Sequence, residues 1–266
     1  MQKTGTNPGT AGVLSLEGPQ LLESVSKPAA SIHAFSHSDN QLAARLRGLG
    51  PLAILTILFV LFPATIAAGG LGGMPFLMPF GAVKVLVWAW LSRTPWRDIG
   101  YVRPKSWIAS LVIGVALGVS FKFVMKAVVM PLLGADPINP AYHFLAGNRE
   151  ALLAGVWSMI VTAGWGEETL FRGFLFERLG KLFGPGAGAK ALIVLITSVG
   201  FALLHYADQG LAGVEQASIT GLAFGTIFAV TGRLFMPMCA HAAFDLTAVA
   251  MIYFNLESKV AHLVFR

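Results

Sequence analysis

The stretch WIASLVIGVALGVSFKFVMKAVVMPLL, residues 107–133, decides the class of fold, because it is apolar apart from two lysines and two serines. At about 1.5 Å per residue, a helix of this length crosses the roughly 30 Å of hydrocarbon in a bilayer. None of the apolar segments of the chain alternates polar and apolar residues as a β-barrel strand does. The sequence therefore predicts an all-α protein, a polytopic membrane helix bundle with about seven (six to eight) transmembrane helices. The other six apolar segments are roughly 51–68, 74–92, 151–176, 190–207, 214–232 and 234–256.

The composition of the 266 residues agrees with a membrane protein. Hydrophobic residues make up 55% of the chain and charged residues only 12%, whereas soluble domains carry roughly 25% charged residues. A soluble fold of this size could not bury so much apolar surface, which argues against a cytosolic enzyme, a disordered protein or a nucleic-acid-binding domain. With one cysteine, Cys239, the chain has neither a disulfide framework nor a multi-cysteine zinc site.

Three regions and an orientation are expected along the chain. Residues 1–45, rich in Ser, Gly and Pro, are predicted to be a disordered tail, 46–258 the transmembrane helical domain, and 259–266 a short C-terminal tail. If the N-terminus lies inside and the chain crosses seven times, ten loop Lys and Arg residues fall inside and three outside. Because positive loops stay in the cytoplasm, we expect a multi-pass protein of a bacterial inner (cell) membrane with a cytoplasmic N-terminus.

Ionisable residues within an apolar membrane segment are costly and point to function. The segment 151–176 carries three of them in Glu167-Glu168-Thr169-Leu170-Phe171-Arg172. Glu168 and Arg172 are four residues apart on one helix face, so Arg172 can hold Glu168 ionised. Glu167 points elsewhere and is available as a general base. The alternative is that these charges end a helix among the lipid headgroups, where they cost little.

Two histidines in other membrane segments extend this pattern. His205 follows Phe201 by four residues, and His241 precedes Asp245 by four, on one helix face. A single buried histidine is more often a core residue than a functional one. Two in separate segments, with a glutamate pair in a third, favour a shared site. We therefore expect Glu167, Glu168, His205, His241 and Asp245 to converge on one polar cavity.

The order of these patterns resembles the CPBP family of intramembrane proteases, which includes the CAAX prenyl proteases and bacteriocin-processing proteins. The resemblance covers roughly 90–255 and includes Phe171-Arg172-Gly173 and Thr231-Gly232-Arg233-Leu234. It implies an intramembrane endopeptidase that acts on membrane-associated, in some members prenylated, CAAX-type proteins. The family pattern is carried here by Glu167-Glu168 with Arg172, Phe201 with His205, and His241 with Asp245.

The resemblance also implies roles for these residues. Glu167 and His205 would activate the attacking water, His241 and Asp245 would stabilise the oxyanion, and the pair Glu168 and Arg172 would hold the geometry.

Asp245 leaves three alternatives open, because an ionised carboxylate cannot donate a hydrogen bond to an oxyanion. Asp245 could be protonated, it could orient His241, or it could help to bind a metal. A zinc ion would take Glu167, His205 and His241 as ligands. We expect no certain cofactor, with zinc as the alternative.

Two other classes of function compete with a peptidase. One is a non-catalytic membrane binder such as a bacteriocin-immunity protein, and the other is a proton-coupled transporter. The expected partners are the lipid bilayer and a peptide or lipidated protein substrate, without nucleic acid. Lys122 is expected to reach the membrane surface along its apolar stem, or alternatively to face the bundle and pair with Glu168 or Asp245.

Overall fold

The computed structural model describes residues 40–50 and 74–265, and within these residues all regular structure is helical. This confirms the predicted all-α class. Helix α1 covers residues 40–48, and short 3-10 turns occupy Trp96–Ile99 and His143–Leu145. The remaining helices are α2 (Met74–Leu91), α3 (Trp107–Leu132), α4 (149–183), α5 (Ala187–Leu204), α6 (Tyr206–Thr231), α7 (Phe235–Tyr253) and α8 (Glu257–Ala261).

Four of these helices, α3, α5, α6 and α7, are long and apolar enough to cross a membrane. Helix α2 contains a shorter apolar stretch, Phe76–Leu91. The predicted helical membrane bundle is thus confirmed, and six of the seven predicted segments coincide with α2 to α7. The segment 51–68 lies outside the described residues, so the number of seven crossings stays a prediction.

The two predicted tails are only partly described. Residues 1–39 lie outside the described part of the chain, whereas residues 40–45 belong to α1. At the other end, 259–261 belong to α8, where Val260 packs with Met251 and Ala127. The division into tail, domain and tail therefore stays a prediction. Both predicted tails contain helical residues where they adjoin the predicted domain.

Helix α4 is widened along the segment that carries the glutamate pair. It begins after Asn148, whose side chain accepts a hydrogen bond from Ala151 N at 3.2 Å. It is α-helical over Arg149–Trp157 and Phe176–Phe183, with π-helical turns over Ser158–Glu167 and Thr169–Leu175 between them. Turns with i→i+5 bonds are rare and concentrate at functional sites.

Glycines bring the helices of the bundle into close contact. A Cβ built on Gly118 of α3 would lie 2.1 Å from the carbonyl oxygen of Ala240 on α7. A Cβ on Gly164 of α4 would lie 2.8 Å from Cβ of Ala242, also on α7. Only glycine permits these approaches, which small residues provide in membrane helix pairs. Helix α7 therefore packs closely against both α3 and α4, and the two contacts involve Ala240 and Ala242, the residues on either side of His241.

Candidate active site

Glu168 and Arg172 form a buried ion pair on α4. Arg172 Nη1 donates to Glu168 Oε1 at 2.7 Å, and the exposed fractions of the two residues are 1% and 0%. The Arg172 guanidinium also lies over the ring of Phe201, 4.7 Å from its centroid, and donates to the Gly221 carbonyl at 3.5 Å. This arrangement confirms the pairing expected from the four-residue spacing. Because neither group reaches water, each depends on the other for its charge.

Glu168 also fixes His241, which α7 supplies. His241 Nδ1 donates to Glu168 Oε1 at 2.7 Å, so one carboxylate oxygen joins α4 to α7. The opposite ring nitrogen, Nε2, lies 3.8 Å from Glu167 Oε2 and 3.5 Å from Asp245 Oδ2. With Nδ1–H donating to Glu168, Nε2 can donate only when the ring is an imidazolium. The carboxylates of Glu168 and Glu167 provide the negative charge that stabilises this cation.

His205 enters the site at the end of α5. Its Nδ1–H donates to the carbonyl oxygen of Phe201 at 2.9 Å, which explains the spacing of the Phe201 and His205 pattern. This bond fixes the ring and leaves Nε2 for other partners. Glu167 and His205 line the same cavity. The helix stops at Leu204, and the chain turns again at Gly210, where φ is +60°.

These groups surround one cavity of about 630 Å³. Four of the five residues expected to converge there, namely Glu167, His205, His241 and Asp245, line the cavity together. Glu168 does not line it, because it is completely buried behind His241. Glu167 Oε2 is buried and has no hydrogen-bond donor among the described residues. The Glu167 side chain as a whole keeps 15% of its surface exposed, so its carboxylate can contact a water or a substrate in the cavity.

The cavity has further polar lining residues that the sequence motifs did not indicate. Tyr142, in the loop before α4, accepts a hydrogen bond from Gln209 Nε2 at 3.4 Å. Burial, followed by the negative charges of Asp245, Asp208 and Glu167, raises the pKa of Tyr142 to about 12. The phenol is therefore a neutral hydrogen-bonding group at physiological pH. No sequence motif or periodicity indicated that Tyr142, in a loop, would line the cavity.

Lys122 corrects one expectation from the sequence. It does not reach the membrane surface, because it is 7% exposed and lines the cavity. Its Nζ donates to Gln216 Oε1 at 2.9 Å and lies 4.6 Å from the centroid of the Phe244 ring. The alternative orientation, towards the bundle, is the observed one, although its hydrogen-bond partner is a neutral amide. A glutamine at position 216, within a largely apolar helix, was the available sequence signal.

The donors proposed for zinc, Glu167, His205 and His241, do not form a compact cluster. Over residues 40–50 and 74–265, no three imidazole, thiol or carboxylate groups are close enough together to hold one metal ion. The Nδ1 atoms of both histidines are held by Phe201 O and Glu168 Oε1, a feature that metal ligands often share. As placed, the side chains do not fit a zinc ion, so no step below passes through a metal.

Comparison with known proteins identifies one family model that matches the part of the chain containing the site. Residues 149–247 match the family model described as Type II CAAX prenyl endopeptidase Rce1-like. No curated protein and no solved structure matches the chain. The matched segment contains Glu167, Glu168, Arg172, His205, His241 and Asp245. The match agrees with the resemblance to the CPBP family over these residues, and the four membrane-length helices indicate an integral membrane protein.

Proposed function

We propose that this chain is an intramembrane endopeptidase that hydrolyses peptide bonds of membrane-associated, including prenylated CAAX-type, proteins with water activated by Glu167 and His205. The observation that carries the proposal is the convergence of Glu167, His205, His241 and Asp245 on one cavity. Four ionisable groups inside a membrane bundle are costly, and a shared reaction is the simplest reason to retain them. The family match at 149–247 supports the same class of reaction.

Activation of water is assigned to Glu167 and His205. The Glu167 carboxylate accepts a proton from a water in the cavity, and the resulting hydroxide attacks the carbonyl carbon of the scissile peptide bond. His205, anchored through Nδ1, holds the water with Nε2. The proton taken by Glu167 is then delivered to the nitrogen of the leaving amine. The C–N bond breaks, and the products are a new carboxylate and a new amine.

Stabilisation of the oxyanion is assigned to His241 and Asp245. The tetrahedral intermediate carries its negative charge on the former carbonyl oxygen, and donors that are already in place lower its energy. His241 donates through Nε2 as an imidazolium, held by Glu168 at Nδ1. Asp245, 3.5 Å from that Nε2, is assigned as a protonated second donor. Glu168 and Arg172 are positioning residues.

The location of the enzyme is part of the proposal. We place it in a bacterial inner membrane with its N-terminus in the cytoplasm, and the excess of Lys and Arg in alternate loops supports this orientation. The substrate would approach within the bilayer as a peptide or lipidated protein.

A proteoliposome assay tests the proposed function. A fluorogenic peptide with a membrane anchor is incubated with the full chain or with Glu167→Ala, and Glu150→Ala, an exposed glutamate in the first turn of the same helix, is the matched control. We expect cleavage by the wild type and by Glu150→Ala but not by Glu167→Ala. Equal cleavage by all three would overturn the assignment of Glu167. Proton-driven uptake without any cleavage would indicate a transporter, and peptide binding without cleavage would indicate a non-catalytic binder.

A further inference from the structure

Three side chains close a ring of hydrogen bonds beside the glutamate pair, outside the catalytic cavity. Trp165 Nε1 donates to Tyr101 Oη at 2.9 Å, and Tyr101 Oη lies 2.8 Å from Thr169 Oγ1. Thr169 Oγ1 in turn donates to the backbone carbonyl oxygen of Trp165 at 2.7 Å. None of these three residues lines the cavity, and the proposed reaction uses none of them.

Each hydrogen bond of the ring can run in only one direction. An indole N–H only donates and a carbonyl oxygen only accepts, so the two Trp165 groups fix both ends. The one hydroxyl hydrogen of Thr169 goes to the carbonyl, and Tyr101 must therefore donate its own hydrogen to Thr169 Oγ1. Burial raises the pKa of the Tyr101 phenol, so the hydroxyl keeps the proton that it donates. Without the Tyr101 oxygen the ring cannot close.

Tyr101 is itself held in place by the turn that precedes it. Tyr101 N donates to Trp96 O at 2.9 Å, across the 3-10 turn that ends at Ile99. Gly100 has a φ of +80°, and its carbonyl oxygen accepts a hydrogen bond from Leu234 N at 3.0 Å. Leu234 lies immediately before α7, the helix that supplies one histidine of the site. The Tyr101 hydroxyl therefore contacts α4 from a loop that is also fixed to the start of α7.

The ring spans the point at which the winding of α4 changes. The π-helical turns end at Glu167 and begin again at Thr169, so Glu168 lies at the junction. The two glutamates have opposite surroundings, because Glu167 lines the cavity and Glu168 is completely buried against Arg172. A change from i→i+5 to i→i+4 hydrogen bonds shifts a helix by one residue, which is about 100° of rotation. Such a shift here would turn Glu167 away from the cavity.

We propose that Tyr101 is a positioning residue, which locks the winding of α4 so that Glu167 faces the cavity and Glu168 stays behind it. This inference rests on the proposed function, because it names a residue that orients the proposed base without touching substrate. Trp165 and Thr169 are four residues apart, and both glutamates lie between them. A single oxygen from outside the helix thus ties the two ends of this turn together.

The direction of residue 167 can be measured without any cleavage. In a Cys239→Ala background, which removes the one cysteine of the chain, Glu167→Cys places a thiol in the cavity. Labelling of the full chain in nanodiscs by a small methanethiosulfonate is followed over time. Adding Tyr101→Phe should slow the labelling, because this turn of α4 is no longer tied. Ala207→Cys, on α6 in the same cavity, is the matched control, and Tyr101→Phe should leave its labelling rate unchanged.

Cleavage kinetics test the consequence for the reaction. In Tyr101→Phe, kcat should fall about 10- to 100-fold while KM stays unchanged, because a displaced base slows the reaction without weakening substrate binding. Thr169→Val breaks the same ring and should give the same result. The double variant should be no slower than either single variant, as expected for residues of one network.

A second buried threonine provides the control for stability. Thr197 on α5 donates to the carbonyl oxygen of Ile193 at 2.8 Å, four residues earlier, and does not line the cavity. Thr197→Val therefore removes the same kind of bond from a buried site and should keep the wild-type kcat. A ring that only stabilised the fold would affect Thr169→Val and Thr197→Val alike.

Several results would overturn the inference. These are an unchanged labelling rate at residue 167 in both Tyr101→Phe and Thr169→Val, a raised KM with unchanged kcat, or an equal loss of kcat in Thr197→Val. The two assays also separate this inference from the proposed function. Slower labelling without cleavage by the wild type would refute the peptidase and leave the role of Tyr101 standing, whereas cleavage with unchanged labelling would do the opposite.

Discussion

Glu168 holds His241 by a hydrogen bond of 2.7 Å between Oε1 and Nδ1, and the same oxygen accepts the 2.7 Å bond from Arg172. The other oxygen of this carboxylate, Oε2, has no hydrogen-bond partner in the described residues. One atom thus joins the cation on α4 to the imidazole on α7. The orientation of the imidazole, and with it the direction of Nε2, depends on a group that substrate never touches.

Removal of Arg172 should damage the fold as well as the activity. Arg172→Met leaves Glu168 buried without its cation, which should cost about 3–5 kcal/mol of unfolding free energy. Adding Glu168→Gln removes the stranded charge, so the double variant should be more stable than Arg172→Met. Denaturant unfolding in mild detergent measures both. An Arg172→Met variant with wild-type stability and wild-type cleavage would show that the pair is unimportant.

The two histidines should differ in what they contribute to stability. His205→Ala removes a half-buried ring whose hydrogen bond goes to a backbone carbonyl, while His241→Ala removes a buried ring that satisfies Glu168. Both should lower cleavage by about 10²- to 10⁴-fold, as expected for loss of acid–base or oxyanion groups. Only His241→Ala should also lose about 1–3 kcal/mol of stability. Similar unfolding curves for the two variants would contradict the distinct role of the Glu168 bond.

Asp245→Asn separates the possible roles of Asp245. If Asp245 is a neutral donor, asparagine keeps a donor without needing a proton, so cleavage should survive and persist to higher pH than in the wild type. This is the expected result. If Asp245 instead orients His241 as a carboxylate or binds metal, activity should fall roughly 10- to 100-fold.

Cleavage rate against pH, with metal analysis of the same samples, decides between these outcomes for Asp245. A fall in bound zinc together with activity would support the metal alternative. If rate, pH profile and metal content all stay unchanged, none of the three roles stands.

The contact between α3 and α7 should tolerate no side chain at Gly118. A Cβ there would lie 2.1 Å from Ala240 O, so Gly118→Ala must push α7 and the adjacent His241 away. We expect a loss of about 1–3 kcal/mol, typical of overpacking, together with reduced cleavage. Gly200→Ala on α5 is the control, because a Cβ at Gly200 meets nothing within 4 Å. Equal stability of the two variants would argue against the close approach.

Tyr142 should keep its proton far above the usual range for tyrosine. Burial and the nearby carboxylates of Asp245, Asp208 and Glu167 raise its pKa to about 12 from 10.0. Because the folded state favours the neutral phenol, its contribution to stability is present below pH 10 and is lost as the pH rises towards 12. The ultraviolet difference spectrum between wild type and Tyr142→Phe should show no tyrosinate at pH 10.5. Asp245→Asn should lower the pKa, and an unchanged value would contradict the electrostatic cause.

The membrane bundle could be predicted from the sequence because long apolar runs specify helices in lipid through a strong physical constraint. The pairing of Glu168 with Arg172 could be predicted for a similar reason, since it depends on a local spacing. The position of Glu168 behind His241, outside the cavity, depends on how α4 meets α7. That contact is set by Gly164 and by the π-helical turns, neither of which a four-residue spacing reveals.

Lys122 shows why the remainder of the site could not be predicted. A lysine in an apolar segment is compatible with an extended stem that reaches the membrane surface and with a buried ammonium. The choice between them depends on Gln216, which is 94 residues further along the chain on α6. Tyr142 was missed for the same reason, because a loop residue carries no periodicity that could place it against the cavity.

The catalytic cavity is lined by residues from several parts of the chain. Those assigned to the chemistry lie on α4, on α7 and directly after α5, within 149–247, whereas Lys122, Asn139 and Tyr142 lie before this segment. Mutation in the earlier part of the chain can therefore alter which substrates fit without disturbing the bond-breaking groups. Enzymes that descend from one ancestor can therefore differ in substrate specificity while they share the same reaction. Their sequence differences should accumulate in α3 and in the loop that follows it.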